Sequence, residues 1–321
     1  MNILVTGAAG FIGSNLVDYL LALDHNVTGI DNLSSGNLAF LDQAWPHFRF
    51  RLVQADLLSD RKWQRYFKSV DLVIHLAANA DVRFGPQYPS RDLEQNTVAT
   101  QRVLEAARTH GVKRIAFAST GSVYGEAQVI PTPENAPFPV QTSLYGASKL
   151  AAEGLVTAYA EAFGMQAHIF RFVSILGERY THGHVFDFYK QLRDHPGQLQ
   201  VLGDGTARKS YLYVKDCIRA IMTAVEKSTD RINIFNLGTD EYCQVNDSIG
   251  WITDALGVTP KREYSGGDRG WVGDNPFIFL ETKKIRSLGW KPQLSIRQGV
   301  LKTVEYLRAN PQVLDARGEA R

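Results

Sequence analysis

A short apolar strand that runs directly into a glycine-spaced turn constrains the fold of this chain more than any other feature. Residues 2–6 form the apolar run, and Gly7, Gly10 and Gly13 follow it at intervals of three, where an amphipathic helix begins. Gly7 permits a tight turn, Gly10 lets the backbone approach a pyrophosphate, and Gly13 allows close packing of helix on strand. The pattern therefore predicts a dinucleotide site in which helix-terminal amides face the phosphates.

An acidic residue at the end of the second strand supports this interpretation. Apolar residues 26–30 lead into Asp31, where a carboxylate accepts hydrogen bonds from the adenosine ribose hydroxyls and repels a ribose phosphate. Residues 32–35 contain no arginine that would hold such a phosphate. We therefore expect NAD rather than NADP. The predicted contacts in this part of the chain are Gly7, Gly10, Phe11, Ile12, Gly13, Asp31 and Asn32.

Strand-like and helical segments alternate through the first half of the chain, which predicts a parallel sheet covered by helices on both faces. The expected strands are residues 2–6, 26–30, 48–54, 72–76, 114–118 and 167–172, and residues 92–110 should form one long helix. After Phe172 the alternation of strand-like and helical segments becomes less regular, and glycine-rich loops appear. The predicted fold is a Rossmann-type doubly wound α/β sheet with a smaller C-terminal α/β substrate lobe. We expect a cofactor domain at 1–172, to which parts of 215–240 return, a substrate lobe at 173–310 and a frayed tail at 311–321.

Tyr145 and Lys149 form the most informative pair of polar side chains. They lie four residues apart in a helical segment, so both project from the same face. An isolated tyrosine ionises near pH 10, but a neighbouring ammonium favours the phenolate. The pair therefore has the composition of a general base and its activator, although the spacing alone also occurs on ordinary helices.

Together, the Gly-x-x-Gly-x-x-Gly spacing and the Tyr-x-x-x-Lys pair resemble the short-chain dehydrogenase/reductase superfamily. Length and the C-terminal half narrow the resemblance to an extended member, in the NAD-dependent epimerase/dehydratase family. The chain is most similar to nucleoside-diphosphate-sugar 4-epimerases of the UDP-glucose 4-epimerase type, from Met1 to about Leu307. The resemblance implies NAD as cofactor and a nucleoside-diphosphate sugar as substrate.

The resemblance also implies roles for residues at several strand ends. Asp56 matches the position that binds the adenine amino group, and Thr120 matches the catalytic serine or threonine, with Ser119 and Ser122 as competitors for that role. Lys149 would also bind the nicotinamide ribose. The further cofactor contacts implied here are Leu57, Leu76, Ala77, Ala78, Asn96, Ser119, Tyr145 and Lys149.

The two residues after Thr120 distinguish between reactions within the family. Dehydratases that resemble this stretch carry Asp-Glu there, and UDP-glucuronate decarboxylases carry a glutamate at the second position. This chain has Gly121 and Ser122 instead. We therefore expect a 4-epimerase that works through a transient 4-keto sugar. A 4,6-dehydratase, a decarboxylase, a reductase and a non-catalytic NAD-binding member remain the alternatives.

Several cations in the second half are candidates for the substrate diphosphate. The family arginine aligns with Lys209, with Arg208 one place earlier, and Arg269 matches a second family arginine. A planar guanidinium suits bidentate phosphate binding. Ser174 stands where the family commonly has asparagine. The remaining predicted substrate contacts are Arg83, Ser122 and Tyr124.

Composition agrees with a globular enzyme. The 321 residues carry a formal charge of +2, which argues against a nucleic-acid binder, and contain no apolar stretch long enough for a membrane helix. Two cysteines, Cys217 and Cys243, suit a reducing compartment and lack metal-ligand spacing. Met1 leads into the first strand without a signal peptide. We expect a cytoplasmic protein, with no bound metal, that forms a homodimer by analogy with the family.

Overall fold

The computed structural model describes residues 1–59, 61–82, 85–138, 140–267, 269, 275 and 277–315. In these ranges the strands are β1 Asn2–Thr6, β2 Asn26–Asp31, β3 Phe50–Gln54, β4 Leu72–His75, β5 Arg114–Thr120, β6 Gln166–Phe172, β7 Ser174–Leu176, β8 Gln198–Val201, β9 Arg208–Lys209, β10 Tyr211–Tyr213, β11 Ile232–Leu237, β12 Cys243–Gln244 and β13 Lys261–Tyr264. The α-helices are α1 Phe11–Ala22, α2 Pro89–Asp92, α3 Ala99–Thr109, α4 Leu144–Phe163, α5 His184–Asp194, α6 Val214–Lys227, α7 Val245–Leu256, α8 Lys283–Ser287, α9 Ile296–Ala309 and α10 Gln312–Asp315.

Seven parallel strands form the central sheet in the order β11-β6-β5-β4-β1-β2-β3. The predicted parallel sheet is therefore confirmed, and all six predicted strands are present with shifts of two residues or fewer at their ends. The order of the first six strands is that of a dinucleotide-binding sheet. Its direction of winding reverses between β1 and β4, where a crevice opens at the carboxyl ends of the strands.

Helices cover both faces of this sheet, as a doubly wound fold requires. Adjacent strand residues point to opposite faces. Val5 packs with Leu16 of α1 and Ile218 of α6, while Leu4 packs with Val103 of α3 on the other face, together with α4. Full burial of each such aliphatic side chain stabilises the fold by about 1.5–3 kcal/mol.

The long helix predicted over residues 92–110 is interrupted in its hydrogen-bond pattern. It begins at α2, widens into a π-helical turn over Leu93–Val98, and continues as α3 to Thr109. Such wide turns are frequent at functional sites. Asn96 lies in this turn, facing the first turns of α4.

The second half of the chain contains an element that the sequence pattern did not single out. Strand β11 pairs with β6 at the edge of the main sheet, from Ile232 opposite Ala167 to Leu237 opposite Phe172. Helices α5, α7 and α9 build a separate buried cluster with β8. The expected frayed tail is wrong for residues 311–315, because α10 places Val313 and Leu314 in this cluster.

Among the described helices, none is long and apolar enough to cross a membrane.

Two glycines in helices give a test of the close packing between α1 and β1. A Cβ on Gly13 would stand 2.0 Å from the Gly7 carbonyl oxygen, whereas a Cβ on Gly250 in α7 would meet nothing within 4 Å. We expect Gly13→Ala to destabilise the protein by at least about 1–3 kcal/mol, the usual cost of overpacking. Gly250→Ala should stabilise it by about 0.5–1 kcal/mol, because alanine is the better helix former. Urea unfolding of both variants checks this, and equal effects would contradict it.

Candidate active site

The glycine turn lies at the carboxyl end of β1, at the crevice between β1 and β4. Gly7 has a left-handed φ of 71°, and its amide donates to the Ile30 carbonyl oxygen at 2.8 Å. A Cβ on Gly7 would lie 2.8 Å from the Ala77 nitrogen, so the turn approaches the end of β4 closely. The N-cap Gly10 offers no side chain to the first turn of α1. The first amides of α1, which include those of Phe11 and Ile12, are therefore available to an anion.

Asp31 ends β2 beside this turn, with a buried carboxylate. Its Oδ2 accepts from the Ala9 amide at 2.9 Å and its Oδ1 from the Leu33 amide at 2.8 Å. Burial raises the pKa of this carboxyl, and the two backbone hydrogen bonds offset part of the effect. Each oxygen keeps a lone pair that a ribose hydroxyl can use.

Asp56 and Asn32 meet at the ends of neighbouring strands. Asn32 donates its Nδ2 to Asp56 Oδ2 at 3.3 Å, while Asp56 Oδ1 accepts from the Leu58 amide at 2.7 Å. Leu57, which follows Asp56 in this turn, is buried. The structure therefore places Asp31, Asn32 and Asp56 in one polar rim along the ends of β2 and β3.

His75 at the end of β4 is fixed in its neutral form by a chain of hydrogen bonds. Thr100 donates its hydroxyl to the Asn96 carbonyl at 2.5 Å, so it can only accept from His75 Nε2, at 2.9 Å. His75 Nδ1 then accepts from the Thr6 hydroxyl at 2.6 Å, and Thr6 Oγ1 accepts from the Ala77 amide at 3.2 Å. Burial lowers the pKa of His75 to about 3. This chain holds the β4 end, with Leu76, Ala77 and Ala78, against β1.

Asn96 is fully buried behind the crevice. Its Nδ2 donates to Ser148 Oγ at 2.9 Å, and its Oδ1 accepts from the Asn79 amide at 2.8 Å. Ser148 in turn donates to the Tyr145 carbonyl at 2.8 Å. The amide of Asn96 therefore braces the first turn of α4 against the loop after β4.

Tyr145 and Lys149 are brought together on the inner face of α4, as the sequence predicted. Lys149 is only 3% exposed, and its Nζ donates to the Ala118 carbonyl oxygen at 2.8 Å. Burial lowers the pKa of Lys149 to about 8, against the opposing charges of Glu153 and Asp92. Burial also raises the pKa of Tyr145 to about 12, with a hydrogen bond to Thr120 acting in the opposite direction. The side chains of the site therefore do not by themselves produce the phenolate.

Thr120 ends β5 within hydrogen-bonding reach of Tyr145. Its Oγ1 accepts from the Ser122 amide at 3.1 Å and lies 3.2 Å from Ser122 Oγ, so it also caps a 3₁₀ turn over Gly121–Tyr124. The two other candidates in this segment turn away. Ser119 donates its hydroxyl to Glu153, and Tyr124 is buried with its hydroxyl bound by Arg171. Among the hydroxyls predicted for catalysis, that of Thr120 lies next to Tyr145, and Ser122 Oγ lies next to Thr120.

Gly121 stands where any side chain would collide with its surroundings. A Cβ there would lie 2.5 Å from Ile278 Cγ2 and 3.2 Å from the Phe172 carbonyl oxygen. Real Cβ atoms do not approach other atoms this closely. The position that carries an aspartate in the resembling dehydratases is therefore filled from the other side by Ile278.

The predicted substrate cations are placed differently from one another. The Arg208 guanidinium lies 4.0 Å from the centroid of the Phe277 ring, on the face of β9 opposite Lys209. Lys209 Nζ donates to the Asn275 carbonyl at 3.0 Å, and Arg269 pairs with Glu126 at 2.7 Å.

Ser174, a further predicted substrate contact, is exposed at the start of β7. Arg83 lies outside the described residues. No three His, Cys, Asp or Glu side chains converge as a metal site in the part of the chain that the structure describes.

The sequence analysis missed a buried ion pair beneath the site. Arg171 of β6 binds Glu153 of α4, with 2.7 Å between Nη2 and Oε2. A signal was present in the sequence, because Tyr145, Lys149 and Glu153 recur at intervals of four and so share one helix face. Glu153 lies two helical turns after Tyr145 on the buried face of α4, and a carboxylate buried there needs a positively charged partner.

Comparison with known proteins agrees with this geometry. Residues 3–238 match the model of a family described as the NAD dependent epimerase/dehydratase family. The UDP-glucose 4-epimerase of Mycolicibacterium smegmatis is 33% identical over 318 residues, covering 97% of this chain and all of that protein.

Solved structures extend the likeness to the whole fold. A UDP-galactose 4-epimerase superposes with a TM-score of 0.87 at 38% identity, covering 97% of this chain and 99% of the other. A UDP-glucuronic acid 4-epimerase from Bacillus cereus, in complex with UDP-glucuronic acid and NAD, gives a TM-score of 0.87 at 28% identity, covering 96% and 99%. The glycine turn, the Tyr145/Lys149 pair and these matches together show that the chain belongs to the NAD-dependent epimerase/dehydratase family.

Proposed function

We propose that the protein is an NAD-dependent 4-epimerase of nucleoside-diphosphate sugars, of the UDP-glucose/UDP-galactose or UDP-glucuronate type. The observation that carries the proposal is the contact between Tyr145 and Thr120, with Lys149 one helical turn along and the glycine turn across the crevice. The relatives and solved structures described above are 4-epimerases of UDP-sugars, which supports the same substrate class.

Tyr145 is the base in this proposal. Its phenolate removes the proton of the sugar 4-hydroxyl, and the Thr120 hydroxyl donates a hydrogen bond to the same oxygen. Because burial raises the pKa of Tyr145 to about 12, ionisation needs positive charge nearby. Lys149, with its pKa lowered to about 8, is still mostly protonated at neutral pH and provides part of it. After the 4-keto sugar has presented its opposite face, Tyr145 returns the proton.

The residues around the crevice fit NAD. When bound, NAD would supply the acceptor for the hydride from sugar C4 and the source of its return, and a positive ring that would add to the charge of Lys149. Gly10 and the open N-terminus of α1 suit the pyrophosphate, Asp31 the adenosine ribose, and Asp56 the adenine. Lys149 is proposed to bind the nicotinamide ribose, since an ammonium has three protons and the Ala118 carbonyl accepts one of them.

The packing around Gly121 favours epimerisation over elimination. Loss of water or carbon dioxide needs an extra acid or base, which the resembling dehydratases and decarboxylases carry after the threonine. Here Ile278 occupies the first of those two positions, and the second holds the short hydroxyl of Ser122.

For the diphosphate we propose Arg269 and Lys209 rather than Arg208. Arg208 stacks on Phe277 and lies 5.7 Å from the Tyr242 ring centroid, so aromatic contacts engage its guanidinium. Arg269 pairs with Glu126 through two half-exposed side chains, a contact of about 0–1 kcal/mol that a phosphate can replace.

We also propose the expected division of the chain, with the cofactor domain at 1–172 plus parts of 215–240 and the substrate lobe at 173–310. The pairing of β11 with β6 and the separate cluster of α5, α7 and α9 support it.

A cytoplasmic location is supported by two free, buried cysteines. Cell fractionation tests the location, and recovery outside the cytoplasm would contradict it.

A homodimer is proposed from the outer face of α4. Small side chains line this face and are exposed in the single chain, namely Ala151, Gly154, Ala158 and Ala162. Leu144, 43% exposed, and Phe163, 46% exposed, lie at its two ends. Such a face lets the same helix of a second copy pack closely about a two-fold axis.

The first prediction concerns the cofactor. We expect NAD to bind at least tenfold more tightly than NADP, because Asp31 repels a ribose phosphate, and Asp31→Asn should reduce this ratio. Asp42→Asn, which removes an exposed carboxylate on a neighbouring 3₁₀ turn, should leave the ratio unchanged. Calorimetry on nucleotide-free protein measures both affinities. Equal affinities in the unmodified protein would refute the assignment.

The second prediction concerns the reaction. Incubation with UDP-glucose, UDP-galactose or UDP-glucuronate should yield the 4-epimer of one of them, with unchanged mass and with deuterium retained at C4. Tyr145→Phe should lower kcat by at least about 10²-fold while keeping the fold, as loss of a general base does. Tyr66→Phe, at a half-buried tyrosine in the 3₁₀ turn before β4, is the matched control. NMR and mass spectrometry read the products, and loss of 18 or 44 mass units would establish an alternative reaction.

The third prediction concerns assembly. Gly154→Arg should convert a dimer into a 35.8 kDa monomer, because a long side chain blocks close approach of two α4 helices. The chain itself tolerates the change, since a Cβ on Gly154 meets nothing within 4 Å. Gly250→Arg, with the same open surroundings on α7, should not alter the mass. Light scattering after gel filtration decides, and an unmodified protein that is monomeric would end the proposal.

A further inference from the structure

The ion pair between Glu153 and Arg171 is almost fully buried, although neither residue has a role in the catalytic steps described above. The two side chains are 5% and 2% exposed, and three hydrogen bonds of 2.7–3.2 Å join the guanidinium to the carboxylate. Replacing such a pair by apolar residues of similar size is often neutral or stabilising, because desolvation cancels the attraction. Stability alone therefore does not explain the pair.

Both ends of the segment that carries Thr120 are tied to this pair. On one side of Thr120, Ser119 donates its hydroxyl to Glu153 Oε1. On the other side, Arg171 Nη1 donates to the Tyr124 hydroxyl at 2.7 Å, and that hydroxyl donates to Asn236 Oδ1 at 2.9 Å. The 3₁₀ turn capped by Thr120 thus lies between two anchors that share one ion pair.

The same pair is also rigidly connected to the base. Glu153 projects from α4 one turn after Lys149 and two turns after Tyr145. Arg171 lies opposite Ser119 in the register of β5 and β6. A displacement of α4 relative to the β5 end would therefore have to break the contacts of Glu153 with Ser119 or Arg171.

We infer that Glu153 and Arg171 are positioning residues that fix the Thr120 hydroxyl relative to Tyr145 by anchoring Ser119 and Tyr124 to the helix that carries the base. The inference rests on the proposed function for its kinetic consequence. Its structural consequence, a turn over residues 119–125 held rigid by the pair, can be measured without any substrate.

The test is the paired replacement Glu153→Met with Arg171→Met, which leaves neither partner of the ion pair behind as an unpaired buried charge. Hydrogen exchange measured by mass spectrometry should be at least tenfold faster in peptides covering residues 119–125, with a melting temperature close to that of the unmodified protein. With an active sugar substrate, kcat should fall at least tenfold and KM should change little. The matched control is Glu161→Gln with Arg231→Gln, an exposed pair that joins α4 to the residue before β11 and should alter neither readout.

Unchanged exchange at residues 119–125 in the Met/Met protein would overturn the inference, as would full retention of kcat. If that protein fails to fold, Ser119→Ala and Tyr124→Phe remove the anchors singly and keep the ion pair. Each should speed exchange in peptides covering residues 119–125, and unchanged exchange there in both variants would also overturn the inference. An unmodified enzyme that turns over no nucleotide sugar would refute the proposed function while the exchange result still decides the inference.

Discussion

Desolvation beneath α4 is the constraint on which the site depends. The helix packs on β5 and β6 and carries a half-buried tyrosine together with a lysine and a glutamate that are almost fully buried. An isolated charge there would cost several kcal/mol. The lysine ammonium is satisfied by the Ala118 carbonyl and the glutamate by Arg171, so the protein keeps charges where only fixed dipoles and partners surround them. Charge that arrives with a cofactor therefore acts through a low dielectric and strongly affects the phenol.

Much of the fold follows from periodicity alone. Strands such as β1, β4 and β5 were predictable because strands buried on both faces read as nearly continuous apolar segments. Strand β11 escaped prediction since two asparagines interrupt the apolar residues of its sequence, Ile-Asn-Ile-Phe-Asn-Leu. The tail was misjudged for a similar reason. Val313 and Leu314 are two apolar residues in a polar context, and only the cluster of α5, α7 and α9 shows what they cover.

The site was predictable where spacing fixes geometry. Tyr145 and Lys149 had to share a face of their helix, and the glycines had to form a turn. Side-chain direction around β5 was harder, because Ser119, Thr120 and Ser122 are chemically alike and differ only in the face to which the backbone turns them. The Ser119 hydroxyl donates to Glu153 beneath α4, whereas Thr120 faces Tyr145. Which of Arg208 and Lys209 stacks on aromatic rings depends on residues almost 70 positions away.

The contact between Gly121 and Ile278 has a consequence for how reactions diverge in such a fold. A carboxylate cannot be gained at position 121 by one mutation, since the new side chain would collide with Ile278. The two positions are about 160 residues apart in the chain but adjacent in the fold. We therefore expect an acidic side chain at position 121 to fit only together with a smaller side chain at position 278. A change towards elimination chemistry in such a fold would need two coupled substitutions, even with the hydride-transfer residues unchanged.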